Sequence, residues 1–508
     1  MRLFHPQRQH GALYRAVWRY GAVDRLERND CLSADGHADG GRVVGTPENK
    51  TTRFMMKQTL TLTQWLTAPR PADVPVAWLD DRTWTLGHLR QDVACLIALL
   101  QQQAGQRWAL CFEDSYLFTV ALLATLHAGK TPVVPGHCRV SLLNEQHALF
   151  DGVLSEKTLS WQGPLLVVSS AMTLAAFAPS FPAIPDEASI ELFTSGSTGQ
   201  PKRVVKSVQS LDHEAALLAD RFAGRLAGCR VVASVVPQHQ YGLTFRIILP
   251  MALGLPLHAA MLWYAEQLAA LSHDYQYVFI SSPAFLKRLD RQLTAPPVAM
   301  VFSAGGMLPW QDVSQAADWM HIWPDEIYGS TETGILAWRY RQEEDVTWQP
   351  FDGVRFHQEN DTLRVFSPLI ADREGLLLDD ILHIEENGQF RLVGRRGRVV
   401  KIEEKRISLS EVEQRLLALD GISEVAAVPV LRRGRQSIGV LLVLDDAARQ
   451  RWQEHGGKQQ ELAWRRTLLP WLEPVAVPRY WRVIDAIPVN SMNKRVYAQL
   501  QEWFHETP

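Results

Sequence analysis

Apolar and polar positions along the chain alternate between a helical and a strand-like period. The segment DVACLIALLQQQ (92–103) has apolar residues at helical spacing, and WALCF (108–112) is a short apolar run typical of a buried strand. The next segments predict a buried helix that ends at Gly129 (YLFTVALLATLHAG) and a further strand (TPVVPG). Strands that alternate with helices favour a parallel sheet with helices on its faces.

The same rhythm recurs through residues 212–325, and shorter strand-like runs then replace it (TLRVFS, ILHIE, FRLVG). Near the C-terminus a helical segment (SEVEQRLLALD) precedes two strand-like segments (EVAAVPVL and SIGVLLVLDD). This change fits a boundary between Gly394 and Gly397. The predicted fold is therefore α/β, with a large N-terminal domain of layered sheets and helices (56–396) and a small α+β C-terminal domain (397–508).

Residues 1–55 differ from the remainder and form an atypical N-terminal extension. Residues 1–54 hold eight arginines, one lysine and six acidic residues, with no sustained helical or strand period. One interpretation is a mispredicted start, with translation beginning at Met55 or Met56. The other is an arginine-rich targeting or interaction arm, although the acidic residues argue against a transit peptide.

One uncharged run, residues 247–265, is long enough to span a bilayer. It contains Pro250, Pro256, His258 and Gly254, which favour a buried strand–turn–helix passage over a transmembrane helix. We therefore expect no transmembrane segment.

Composition narrows the class of protein further. The 508 residues are 46% hydrophobic and 21% charged, which is typical of a globular chain, and the formal net charge of −3 offers no general attraction for nucleic acid. The five cysteines form no CxxC pair, so neither a disulfide framework nor a zinc site is expected. Reduced thiols fit a cytoplasmic protein.

The strongest chemical signal is the segment LFTSGSTGQPK (192–202), where four hydroxyl residues and two glycines lie within six positions. Glycine N–H groups and hydroxyls can close on an anion, and Lys202 adds a positive charge. A plain linker is disfavoured, because the segment follows the apolar run SIELF and ends in Pro-Lys. It is not a Walker A loop, since Lys202 follows a proline.

This segment resembles the glycine-rich signature of the adenylate-forming (AMP-binding) superfamily, which includes acyl- and aryl-CoA synthetases, adenylation domains and luciferases. The resemblance implies that the loop cradles the phosphates of ATP. The residues it assigns to nucleotide binding here are Thr194, Ser195, Gly196, Ser197, Thr198, Gly199 and Lys202, with Thr198 also counted as catalytic.

Other motifs of the superfamily follow in order. Tyr328-Gly329-Ser330-Thr331-Glu332 resembles its YGxTE element, which implies that Tyr328 stacks on adenine, Thr331 meets phosphate and Glu332 is catalytic and holds Mg²⁺. Upstream, Ser303-Ala304-Gly305-Gly306 resembles the turn against which adenine lies. Downstream, Asp380 is expected at the ribose, without the usual Thr-Gly before it, and Arg395 at the nucleotide.

The segment Pro488-Val489-Asn490-Ser491-Met492-Asn493-Lys494 resembles the PxTxxGK element, whose lysine enters the active site. Lys494 is therefore the leading catalytic candidate. Asn493 replaces the glycine, which is tolerable because asparagine also occupies left-handed turns.

The segment PQHQYG (237–242) resembles the element that lines the acid pocket of the superfamily. His239, Tyr241 and Gly306 are the expected acid-pocket residues. Nearby aromatic residues (Phe245, Phe285 and Trp338) suit an aryl or short unsaturated acid. The fatty or aryl acid itself is not determined by the sequence.

In the superfamily a mobile C-terminal domain rotates after adenylation and brings in a thiolation loop. The corresponding residues here are Gly397 at the hinge and Lys401 and Glu404 on the loop. Gly397 stands where an aspartate is common, and Glu404 replaces a glycine beside the pantetheine tunnel. A carboxylate there could repel a phosphopantetheine thiol, so the second step is less secure than the first.

The resemblance thus implies an AMP-forming acid–thiol ligase that uses ATP and Mg²⁺. It adenylates a carboxylic acid, releases pyrophosphate and passes the acyl group to CoA or to the phosphopantetheine of a separate carrier protein. Two alternatives stay open: an adenylate-forming enzyme without CoA ligase activity, and a non-catalytic binding relative. Lys202, Glu332 and Lys494 argue against the latter.

Overall fold

The structure is a computed structural model of the 508-residue chain. It describes residues 59–170, 181–195, 201–359, 362–395, 398–402, 405–432, 435–472, 474–489 and 495–504. These residues belong to one compact unit, Met56–Pro508. The N-terminal extension predicted over 1–55 lies outside the described residues.

Strands and helices are numbered in chain order. The strands are β1 (Pro75–Leu79), β2 (Arg82–Thr85), β3 (Arg107–Cys111), β4 (Thr131–Val134), β5 (Gly152–Ser155), β6 (Leu165–Val167), β7 (Ser189–Ser195), β8 (Pro201–Ser207), β9 (Arg230–Ala233), β10 (Leu257–His258), β11 (Tyr277–Ser281), β12 (Val298–Ser303), β13 (Asp325–Ser330), β14 (Gly334–Tyr340), β15 (Gln349–Pro350), β16 (Arg355–Glu359), β17 (Thr362–Phe366), β18 (Leu376–Leu378), β19 (Asp380–Ile384), β20 (Phe390–Arg395), β21 (Val399–Ile402), β22 (Lys405–Ser408), β23 (Ile422–Arg432), β24 (Arg435–Leu444) and β25 (Tyr480–Val483).

The α-helices are α1 (Leu86–Gln101), α2 (Ser115–His127), α3 (Val140–Glu145), α4 (Val208–Leu226), α5 (Gln240–Gly242), α6 (Leu249–Leu253), α7 (Ala265–Ala269), α8 (Pro283–Leu286), α9 (Trp310–Met320), α10 (Leu409–Leu417), α11 (Asp446–His455), α12 (Gly457–Leu468) and α13 (Tyr497–Glu502). Short 3-10 turns cover Leu62–Gln64 and His147–Leu149, and a π-helical segment (Leu243–Ile248) joins α5 to α6.

Two large sheets form the main body. One has nine strands in the order β15-β14-β13-β12-β11-β9-β10-β1-β2, and the other has six in the order β6-β5-β3-β4-β7-β8. Pairing is parallel from β13 to β1 in the first sheet and from β6 to β7 in the second, with antiparallel strands at the edges. The predicted parallel sheets with helices are confirmed.

Helix α2 lies between the two sheets and contacts β3 and β4 of one and β10 of the other. Nearly all its side chains are buried, which explains why its sequence is apolar on every face. Asp114 caps its first turn by accepting a hydrogen bond from the N–H of Leu117 at 2.9 Å. The helix ends just before Gly129, whose φ of +70° favours glycine, as predicted.

The order predicted for the apolar run 247–265 is wrong. The run contains the end of the π-helical segment, then α6, a turn at Gly254 (φ +67°) and strand β10, so a helix precedes the strand. Because most of the run is buried, with Trp263 and Tyr264 exposed near its end, its residues show no helical or strand period from which the order could be read. Within the described residues, no helix is long and apolar enough to cross a membrane.

The C-terminal part has its own apolar core, in which helices α10 and α12 pack on the strands β23-β24-β25. With the sheet-rich N-terminal part, it confirms the predicted fold class. The predicted boundary falls on residues 396 and 397, outside the described residues, and stays a proposal.

Candidate active site

The lysine of the glycine-rich segment and the glutamate of the YGSTE turn meet, although 130 residues separate them. Lys202 Nζ lies 3.0 Å from Glu332 Oε1. Both side chains are partly exposed, so the pair is open to a bound ligand. Two motifs chosen independently in the sequence therefore form one site.

The local fold explains this meeting. Strands β7 and β8 form an antiparallel hairpin in which Thr194 pairs with Lys202, so the glycine-rich residues 196–200 connect two fixed strands. Strand β13 ends at Ser330 in the nine-stranded sheet, and the YGSTE turn leads from there into β14. The hairpin of one sheet thus faces a turn of the other.

The electrostatics of Glu332 favour its charged form. Burial raises the pKa of this carboxyl, but the hydrogen bond and charge of Lys202, together with hydrogen bonds from the Glu332 backbone and from Ser330, outweigh it, so the pKa lies below its usual value. Glu332 is therefore ionised at neutral pH. Lys202 supplies the matching positive charge.

The backbone of the YGSTE turn requires glycine at two positions. A Cβ at Gly329 would lie 2.2 Å from the carbonyl oxygen of Gly334. Gly334 itself has φ +70°, and a Cβ there would lie 2.8 Å from Glu214 Oε1. Hydroxyl contacts tighten the same turn, since Ser330 N–H donates to Thr333 Oγ1 at 3.0 Å. The turn presents Thr331 and Glu332 on a rigid base.

Tyr328 and Asp380 are also brought together. The Tyr328 hydroxyl donates to Asp380 Oδ2 at 2.8 Å, and its ring packs against Trp348 and Phe390. Asp380 pairs directly with Arg395 across strands β19 and β20. The structure therefore places the candidate ribose residue beside the candidate adenine residue, with Arg395 opposite in the ladder.

The expected acid-pocket residues lie on neighbouring segments. His239 directly precedes helix α5, and Tyr241 on that helix donates its hydroxyl to the carbonyl oxygen of Ser281 at 3.0 Å. Burial raises the pKa of Tyr241 well above its usual value, so it remains a neutral donor. A Cβ at Gly306 would lie 3.8 Å from Pro283, on the segment after Ser281.

The three aromatic residues expected near the pocket differ in their surroundings. Phe245 is buried against Tyr241, with ring centroids 4.9 Å apart. Phe285 is buried against Phe279 in a separate apolar cluster. Trp338 packs against Phe222 and beneath the Arg221 guanidinium, 3.9 Å from its ring centre. Only Phe245 directly contacts a predicted pocket residue in these ring pairs.

Gly305 occupies a left-handed turn at φ +87°, which favours glycine after strand β12. Strands β12 and β13 are parallel neighbours, so the turn at 304–306 and the YGSTE turn leave the same edge of the sheet. This arrangement resembles the ligand-binding edge of other parallel sheets.

Several predicted site residues lie outside what the structure describes. Those wholly outside it are Gly196, Ser197, Thr198, Gly199, Gly397, Glu404 and Lys494, while Ser195, Arg395 and Lys401 are described only in their backbone. Their predicted roles stay predictions.

Two buried charged residues next to the site were missed by the sequence analysis. Lys206 donates from Nζ to the carbonyl oxygen of Glu332 at 3.0 Å, and the acidic partner nearby is Glu214. Burial lowers the pKa of Lys206 and raises the pKa of Glu214. The sequence offered only two weak indications of these residues. Lys206 shares a strand face with Lys202, and Glu214 interrupts the apolar face of α4.

Comparison with known proteins bears directly on this geometry. The sequence profile of the family described as AMP-binding enzyme matches residues 142–365, which include the glycine-rich segment, the YGSTE turn and helix α5 with Tyr241. This part of the chain is similar to AMP-binding enzymes. The resemblance to the adenylate-forming superfamily is thereby confirmed.

Two relatives illustrate the range of proteins to which this chain is similar. A 4-coumarate–CoA ligase of Cereibacter sphaeroides is 29% identical over 50% of this chain and 60% of its own length. The nonribosomal peptide synthetase Ao415 of Arthrobotrys oligospora is 25% identical over 87% of this chain but only 14% of its own length. The chain thus spans less than two thirds of either relative.

Among solved structures, ATP-bound MatB from Rhodopseudomonas palustris matches with a TM-score of 0.73 and 17% identity. The match covers 88% of this chain and 99% of that one. At this identity the likeness shows the fold alone.

Proposed function

We propose that the protein activates a carboxylic acid with ATP, giving an acyl or aryl adenylate and pyrophosphate, and then passes the acyl group to a thiol. The observation that carries this proposal is the convergence of Lys202, Glu332, Tyr328 and Asp380. Contacts of 3.0 Å and 2.8 Å join motifs that lie far apart in the sequence. Each type of residue suits one part of a nucleoside triphosphate.

The chemistry explains why such groups are needed. A carboxylate and the α-phosphate of ATP are both negative, so their approach requires positive charge that is already in place. Lys202 and the glycine-rich loop would hold the outer phosphates, and Asp380 would accept hydrogen bonds from the ribose. Lys494 would bridge the carboxylate and the α-phosphate, which orients the attack and stabilises the developing charge.

The residues present fit Mg²⁺ as a partner of ATP. Glu332 is an ionised, partly exposed carboxylate with one oxygen engaged by Lys202. The described residues contain no cluster of three or more metal-ligating side chains, which is compatible with an ion held by one carboxylate together with phosphates and water. When bound, Mg²⁺ would neutralise phosphate charge, and Glu332 would hold it in place.

The acceptor thiol is proposed to belong to CoA or to a carrier protein. The CoA ligase relative supports the first acceptor, and the peptide synthetase relative supports the second. We further propose that a domain of residues 397–508 rotates about Gly397 between the two steps, bringing Lys401 and Glu404 towards the thiol. No nucleic acid is involved.

We place the protein in the cytoplasm. Within the described residues, Cys111, Cys138 and Cys229 are free thiols, which suits a reducing compartment. CoA and carrier thiols are used in the same compartment.

A second candidate is an adenylate-forming enzyme that passes its product to another nucleophile. It is favoured by Glu404, whose charge would oppose an approaching phosphopantetheine. The first step would be identical in the two enzymes. A purely binding relative is less consistent with the Lys202–Glu332 pair.

The proposal is tested by pyrophosphate exchange into ATP with a panel of aryl and fatty acids. Exchange that depends on one class of acid supports adenylation and identifies the substrate class. Adding CoA or a phosphopantetheinylated carrier then distinguishes the acceptors. Exchange without any thioester product would favour the second candidate, and no exchange with any acid would contradict both.

A further inference from the structure

The buried pair Lys206 and Glu214 lies directly behind the motif residues and belongs to none of the motifs. Lys206 is 4% exposed and Glu214 is 2% exposed. Burying two charges costs desolvation free energy that their attraction often fails to repay, so such a pair is weak evidence of stabilisation. The contacts of these side chains indicate another role.

The carboxylate of Glu214 divides its two oxygens between two parts of the site. Oε1 accepts the backbone N–H of Ile335 at 2.9 Å, just beyond the YGSTE turn. Oε2 accepts the Thr244 hydroxyl at 2.7 Å and the Gln240 side-chain amide at 2.8 Å. Gln240 and Thr244 lie on α5 and the π-helical segment that continues it; we call residues 240–248 the acid helix, because they carry the acid-pocket candidate Tyr241. One carboxylate therefore joins the acid helix to the segment that follows the YGSTE turn.

Lys206 completes the connection on the nucleotide side. Its ammonium group donates to the carbonyl oxygen of Glu332 at 3.0 Å and balances the charge of Glu214. Glu332 is thus held at its backbone by Lys206 and at its side chain by Lys202. A shift of the acid helix would reach Glu332 through the hydrogen bond to Glu214, the electrostatic attraction between Glu214 and Lys206, and the hydrogen bond from Lys206.

We propose that Glu214 and Lys206 are positioning residues that couple the acid pocket to the nucleotide site, so that acid and ATP each strengthen the binding of the other. This inference rests on the proposed function, because it assigns the two ends of the network to the two substrates. Coupling of this kind is reciprocal. A change on the acid helix must therefore alter nucleotide affinity even when no acid is present.

A matched pair of substitutions at Thr244 tests this consequence. Thr244→Val keeps the shape of the side chain but removes the hydroxyl that Glu214 accepts, whereas Thr244→Ser keeps the hydroxyl. The probe is the non-cleavable analogue α,β-methylene-ATP with Mg²⁺, titrated calorimetrically without acid. We expect the Kd to rise about fivefold or more for Thr244→Val, within the usual range of coupling, and about twofold at most for Thr244→Ser.

A second pair separates positioning from stability. Glu214→Gln places an amide NH₂ against groups that are themselves donors, so it should weaken analogue binding. Asp92→Asn removes a buried carboxylate elsewhere, which accepts from the Tyr116 hydroxyl at 2.7 Å, and should lower stability without changing the Kd. Unfolding midpoints measured beside each Kd show whether a loss of affinity follows a loss of structure.

The outcomes distinguish the two proposals. If the wild type binds the analogue but Thr244→Val and Glu214→Gln bind it equally well, the coupling is refuted and the proposed function stands. If the variants lose affinity as expected while no acid supports pyrophosphate exchange, adenylation is refuted and the coupling within the nucleotide site stands. A wild type that does not bind the analogue overturns both.

Discussion

At the scale of single residues, the site depends on close contacts that leave little freedom for substitution. Glu332 is ionised, faces Lys202 at 3.0 Å and has its carbonyl oxygen bound by Lys206 at 3.0 Å. Its neighbour Gly329 is confined by the backbone of Gly334. The charge of Glu332 and the steric confinement of Gly329 therefore lead to two separate predictions.

Replacing Glu332 by Gln should impair adenylation through the loss of charge. The amide oxygen can still accept from Lys202, so the fold should persist, but a neutral group holds Mg²⁺ weakly. We expect acid-dependent pyrophosphate exchange to fall by about two orders of magnitude and the Mg²⁺ concentration for half-maximal rate to rise. Glu344→Gln, at an exposed glutamate, is the control. An unchanged Mg²⁺ dependence would contradict the assignment of Glu332.

Replacing Gly329 by Ala should instead destabilise the protein. The added Cβ would lie 2.2 Å from the carbonyl oxygen of Gly334, which forces the turn to move. Overpacking of this kind typically costs about 1–3 kcal/mol of unfolding free energy. Gly306→Ala is the matched control, because its Cβ would have an ordinary contact of 3.8 Å with Pro283. Equal urea midpoints for the two variants would show that the turn can yield.

At the scale of secondary-structure elements, helix α4 connects the site to the beginning of the described chain. Its buried face carries Glu214, and two residues earlier Asp212 accepts the N–H of Leu62 at 2.8 Å. Burial raises the pKa of Asp212 to about 6, against which the Leu62 hydrogen bond acts only in part. The helix therefore contains a pH-sensitive contact outside the site.

The sign of this dependence follows from the raised pKa. The folded state binds the Asp212 proton more strongly than the unfolded state, so its contribution to stability is present below about pH 4 and is lost as the pH rises through about 6. We expect Asp212→Asn to remove this dependence. Relative to the variant, the wild type should lose about 1 kcal/mol of unfolding free energy between about pH 4 and 7, allowing for solvent screening.

Urea unfolding of both proteins across this pH range measures the difference. Asp220→Asn, at an exposed position of the same helix, is the control and should follow the wild type. A constant difference between wild type and Asp212→Asn would show that Asp212 does not titrate with a raised pKa.

Elements with a clear period were predictable from sequence, and those without one were not. Helix α1 follows the predicted pattern because it buries one face and exposes the other, and strands β3 and β4 follow it as short apolar runs that are almost fully buried. The stretch around α6 and β10 is mostly buried and shows no clear period, so its order was predicted wrongly. Lys206 and Glu214 were missed because a buried charge is recognisable only from its partners, which lie on other segments.

At the scale of the whole molecule, motifs that lie far apart in the sequence come together in the fold. Lys202 meets Glu332, and Tyr328 meets Asp380. One further contact links distant parts of the chain. Glu424 on β23 meets Lys287, just after α8, at 2.5 Å, and Arg495 at 3.8 Å. Arg495 directly follows Lys494, so this pair of contacts connects the catalytic candidate's segment to the larger part of the chain.

Loss of this connection should weaken adenylation modestly. Partly exposed ion pairs contribute at most about 1 kcal/mol, so Glu424→Gln should lower the exchange rate about two- to fivefold at low ionic strength. Because salt screens such pairs, the difference from the wild type should shrink at high ionic strength. A variant that matches the wild type at both ionic strengths would show that these contacts do not position Lys494.

The central claim is that the protein adenylates a carboxylic acid, with Lys494 bridging the acid and the α-phosphate. Acid-dependent exchange of pyrophosphate into ATP, compared between the wild type and Lys494→Ala, tests it most directly. We predict exchange that requires an acid in the wild type and falls by orders of magnitude in a variant with an unchanged unfolding midpoint. Equal acid-dependent exchange in both proteins would contradict the role of Lys494, and no exchange with any aryl or fatty acid would contradict adenylation itself.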